Sequence, residues 1–69
     1  MKLVDIKERL EQRPFRPFAL EITGGSWIEV EKESSVLLSE RRPDLVVVFD
    51  PSGRLWILGI DQIASLESR

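Results

Sequence analysis

Leu45-Val46-Val47-Val48-Phe49-Asp50-Pro51-Ser52-Gly53-Arg54-Leu55-Trp56-Ile57-Leu58 is the stretch that decides the fold. Its first five residues are all apolar and mostly β-branched, the composition of a strand covered on both faces. Asp50-Pro51-Ser52-Gly53 reads as a turn, because proline presets φ and glycine tolerates the left-handed region. Leu55–Leu58 then returns as a second strand, again apolar at every position. Keeping like faces together pairs Phe49 with Leu55 and Val47 with Ile57.

Upstream, Phe18, Leu20 and Ile22 alternate with Ala19, Glu21 and Thr23, the pattern of a half-buried strand. Ile28 and Val30 alternate with Trp27, Glu29, Glu31 and Glu33 in the same way. Gly24-Gly25 lies between them and marks a hairpin. A two-residue loop would set Glu29 opposite Leu20 on the apolar face. An odd loop, Gly24-Gly25-Ser26 with a glycine bulge, instead pairs Ile22 with Ile28 and Leu20 with Val30. Val36-Leu37-Leu38-Ser39 is a shorter third strand, followed by the charged loop Glu40–Asp44. Gly59–Gln62 reads as a single turn and Ile63–Glu67 as a closing strand.

At the N-terminus, Leu3, Ile6 and Leu10 recur at helical spacing, with Val4 beside them, which predicts an amphipathic helix over 3–12. Asp5 with Arg9 and Lys7 with Glu11 form opposite-charge pairs four residues apart. Arg13-Pro14 ends the helix, since the residue before proline is pushed out of the helical region. Pro14 and Pro17 keep Arg13–Phe18 extended and outside the middle of any sheet.

The expected architecture is mainly β: one domain, residues 1–69, in which the helix caps a small SH3-like or Sm-like barrel of about five strands spanning 18–67. A chain of 69 residues buries only about 60% of its unfolded surface, so the core is thin. Domains of this size usually draw on disulfides, a metal or a partner subunit. Cysteine and histidine are both absent, which removes disulfides and ordinary zinc sites. The remaining aid is self-association.

The order of elements resembles the Sm-like fold and, within it, the bacterial Hfq proteins. The resemblance rests on the N-terminal helix, the strand ending in Ile22-Thr23-Gly24-Gly25, the apolar pair Leu45–Phe49 and Leu55–Leu58, and the turn into Asp61-Gln62-Ile63-Ala64-Ser65-Leu66. It implies a bent barrel that assembles into a ring through its apolar strands. Hfq proteins carry a Lys-His pair before the last strand, where it lines an RNA-binding pore; here Gly59-Ile60-Asp61 stands in that place. The Asp and Asn of classical Sm proteins and their Arg-Gly are missing too. Arg13-Pro14-Phe15-Arg16-Pro17-Phe18, following a short helix, also resembles a group of short bacterial proteins of uncharacterised activity that share this segment.

Without His, Cys or Tyr, the usual general bases and the strongest nucleophile are missing, so no enzymatic role is expected. Glu21, Glu29, Glu31 and Glu33 alternate along a solvated face and do not wrap a cation, so neither a metal nor another cofactor is expected. The expected function is a non-enzymatic interaction or scaffold module that assembles with itself and recruits a protein partner. Its expected interface is Val46, Val48, Trp56 and Leu58, which would form an apolar patch beside an open strand edge unless the helix covers them. The alternative is an RNA-associated Sm-like protein, with Arg13, Phe15, Arg16, Arg41 and Arg42 as its contact residues. A net charge of −2 works against that alternative, because phosphate binding rewards a basic surface. Met1–Leu10 carries charges that would interrupt a targeting core, so no membrane association and a cytoplasmic location are expected.

Overall fold

The computed structural model describes residues 1–69. Helix α1 spans Leu3–Glu11, and six strands follow: β1 Phe18–Ile22, β2 Trp27–Val30, β3 Val36–Leu38, β4 Leu45–Phe49, β5 Leu55–Gly59 and β6 Ile63–Ser68. One 3-10 turn, Glu33–Ser35, separates β2 from β3, and another, Ile60–Gln62, separates β5 from β6.

The strands form two antiparallel three-stranded sheets, ordered β2-β1-β6 and β3-β4-β5. The expected barrel is therefore not closed by strand pairing. The chain crosses from one sheet to the other at the two 3-10 turns, where the backbone leaves extended geometry and the ladders stop.

Helix α1 begins where the Lys2 N–H donates to Asp5 Oδ2 at 3.1 Å. Its C-terminal carbonyls are met by Arg13, whose Nη1 donates to Leu10 O and Gln12 O, both at 3.0 Å. The expected pairing of Arg9 with Asp5 does not form; Arg9 Nη2 reaches Ser68 Oγ at 2.6 Å and ties the helix to β6. Ile6 and Leu10 are buried, as the apolar stripe predicts.

The first hairpin keeps the expected parity but shifts by two residues. Leu20 pairs with Ile28 and Phe18 with Val30, and the Ile22 N–H donates to Ser26 O. The odd loop is thus Thr23-Gly24-Gly25. Both glycines have φ near +100° (106° and 97°), so they supply the reversal themselves and Ser26 is left to the ladder. In the second hairpin the expected register holds, with Val47 opposite Ile57 and Phe49 opposite Leu55.

The two sheets and α1 enclose one apolar cluster. Ile6, Phe18, Leu20, Ile28, Val30, Val46, Val48 and Ile63 lie at its fully buried centre, with Leu10, Ile22, Val36 and Leu58 around them. No polar side chain is buried, so the core rests on packing alone. Arg69 anchors the C-terminus: its N–H donates to Pro17 O, and its guanidinium pairs with Glu29 and Glu67 and lies over Trp27.

Candidate functional site

The sheet β3-β4-β5 carries the most unusual surface of the molecule. β4 alternates, with Val46 and Val48 buried and Val47 and Phe49 on the other side. β5 follows suit: Leu58 is buried and Trp56 half-buried, while Leu55 and Ile57 face outwards. This corrects the expected interface. Val46, Val48 and Leu58 belong to the core, with Trp56 packed against it, and cannot form an exposed patch. An apolar run has no polar residue to mark its outward side, so sequence parity could not separate the two faces.

The outward face is nonetheless apolar. Leu37, Val47 and Ile57 stand in register across the three strands, and Phe49 stands opposite Leu55 beside them. Leu37 is 56% exposed, Ile57 63%, Leu55 49% and Phe49 42%. A shallow hollow of about 240 Å³ at the β3 side of this face is lined by Leu37, Leu38, Ser39, Arg42, Leu45 and Val47.

The β4–β5 turn fixes the end of the sheet. Asp50 Oδ1 accepts from Ser52 N at 2.9 Å, from Ser52 Oγ at 2.5 Å and from Arg54 N at 3.0 Å. Its Oδ2 accepts from Trp56 Nε1 at 3.0 Å. Hydrogen bonding to the Ser52 hydroxyl first, and to the indole second, lowers the Asp50 pKa from 3.8 to about 2. The Arg54 guanidinium lies 4.1 Å from the centre of the Trp56 ring, so one indole face is already covered. The role of Asp50 was not read from the sequence; the signal was a turn carboxylate followed six residues later by an indole that needs an acceptor.

Several of the residues expected to contact nucleic acid are engaged within the chain. Arg13 pairs with Glu33 at 3.1 Å and Arg42 with Asp44 at 3.0 Å. The Arg42–Asp44 hydrogen bond raises the Arg42 pKa and lowers that of Asp44. Arg16 and Arg41 make no ion pair. Phe15 packs against the core, its ring centre 6.1 Å from that of fully buried Phe18. The Arg-Pro-Phe segment is thus built into the molecule at Arg13, Phe15 and Phe18.

An open groove of about 530 Å³ lies between α1 and β3, lined by Lys7, Leu10, Glu11, Glu33, Ser34, Val36 and Leu38. It has one basic and two acidic residues. No group of three or more carboxylates is placed to hold a metal ion. No helix is long and apolar enough to cross a membrane. Comparison with protein-family models, with curated proteins and with solved structures finds no match to the chain.

Proposed function

We propose that this chain is a non-catalytic interaction module that assembles with itself through the β3-β4-β5 sheet. One observation carries the proposal: Leu37, Val47 and Ile57 form an unbroken apolar row across three paired strands, with Leu37 and Ile57 more than half exposed. Exposed leucines scattered singly need no explanation, but a contiguous row beside an open strand edge is the surface that proteins reserve for a partner. Joining subunits also adds the apolar burial that a 69-residue chain without disulfides is short of.

The order of helix, strands and closing 3-10 turn supports placing the module with small SH3-like or Sm-like domains, with two sheets bridged by short turns in place of a continuous barrel wall. The RNA-associated alternative draws little support from the arginines named for it, since Arg13 and Arg42 are engaged with carboxylates.

Native mass spectrometry of protein purified gently at low salt tests the reading. The expected result is a defined oligomer free of nucleic acid. A monomer at every concentration would overturn it, and an oligomer carrying RNA would put the alternative first.

A further inference from the structure

The open edge of β5 deepens the proposed self-association and rests on that reading. In an antiparallel pair, residues exchange backbone hydrogen bonds at every second position. The Asp50 N–H donates to Arg54 O at one end of the β4–β5 ladder, and the Ile60 N–H donates to Asp44 O at the other. Both anchors set the same phase, so Trp56 and Leu58 turn their amides and carbonyls towards β4. Leu55, Ile57 and Gly59 turn theirs away. Gly59 confirms the direction, since its N–H donates outwards to Gln62 Oε1 at 2.7 Å. Because β5 is the last strand of its sheet, the amides and carbonyls of Leu55 and Ile57 meet no strand.

Natural edges are usually protected by lysine, proline, a bulge or a covering loop. Between Leu55 and Gly59 there is no charge, no proline and no bulge. The side chains beside the free amides, Leu55 and Ile57, are themselves apolar and exposed.

We propose that the occupant of this edge is the β5 strand of a second copy, paired antiparallel about a two-fold axis at Trp56. This register sets Leu55 of each copy opposite Ile57 of the other, so the free groups of both residues satisfy one another and their side chains meet on the outer face. A register centred on Ile57 would instead need Gly59, whose N–H is already held by Gln62. The charges agree with a second copy. An uncharged strand meets itself without repulsion. The two outer apolar rows then join into one continuous sheet face.

Amide hydrogen exchange of the wild-type chain at low and high concentration tests this directly. The expected result is that the Leu55 and Ile57 amides become protected by about ten-fold or more as concentration rises, with no matching change at Trp56 and Leu58. The protection is expected to survive Leu37→Asp, at the far side of the face. In Ile57→Pro, which removes an N–H that β4 does not use, the protection of the remaining Leu55 amide is expected to vanish. An oligomer in which Leu55 and Ile57 still exchange freely would overturn the edge pairing alone. A monomer over the whole range would overturn both this inference and the self-association beneath it.

Discussion

Trp56 and Asp50 are joined across the β4–β5 turn, indole Nε1 donating to carboxylate Oδ2 at 3.0 Å. The same carboxylate holds Ser52 and the Arg54 amide, so one side chain sets both the turn and the rotamer of the strand's tryptophan. The hairpin that presents the apolar face is closed at this point, and Gly53 completes it with φ of 89°, in the left-handed region.

This arrangement predicts an acid-sensitive hairpin. The folded-state pKa of Asp50, about 2, lies below the ordinary value of 3.8. The ionised form therefore favours the folded state. Its contribution is complete above the ordinary value and is lost as pH falls through about 2. Urea midpoints measured through that window should fall more for the wild type than for Asp50→Asn. Equal falls would show that the Asp50 bonds carry no linkage.

Phe18 is completely buried at the centre of the core. Phe18→Ala is expected to cost about 3–5 kcal/mol, a large share of the stability of any small domain. Thermal unfolding should show a broad or absent transition. A cooperative transition near the wild-type temperature would contradict the burial.

Arg13 offers a contrast within the same segment. It caps the end of α1 and pairs with Glu33, but its side chain is 62% exposed. Arg13→Ala is expected to cost no more than about 1 kcal/mol. A chemical denaturation curve checks this, and a loss comparable to that of Phe18→Ala would be inconsistent with it.

Much of this fold was legible in the sequence. The helix, the strands, the turn glycines and the second hairpin's register all follow from periodicity and from residues with restricted φ. The register of the first hairpin was not, because Thr23-Gly24-Gly25 and Gly24-Gly25-Ser26 preserve the same parity and only the backbone chooses between them. The first 3-10 turn has no marker in the sequence, since Glu33-Ser34-Ser35 carries no glycine or proline, whereas Gly59–Gln62 reads as a turn. The site was half legible. The apolar strands point to β4 and β5, but Val46, Val48 and Leu58, expected at the surface, lie in the core. Leu37, Val47 and Ile57 could be told from them only once the sheet had a side facing α1 and β1.

Self-association through the β3-β4-β5 sheet is tested most directly by sedimentation velocity on the wild type and on Ile57→Lys over the same concentration range. Ile57 is 63% exposed, so the substitution should leave monomer stability within about 0.5 kcal/mol. A wild type that sediments as an oligomer, alongside a folded Ile57→Lys chain that sediments as a monomer, is the result predicted. A wild type that stays monomeric, or an oligomer unchanged by the lysine, would contradict it.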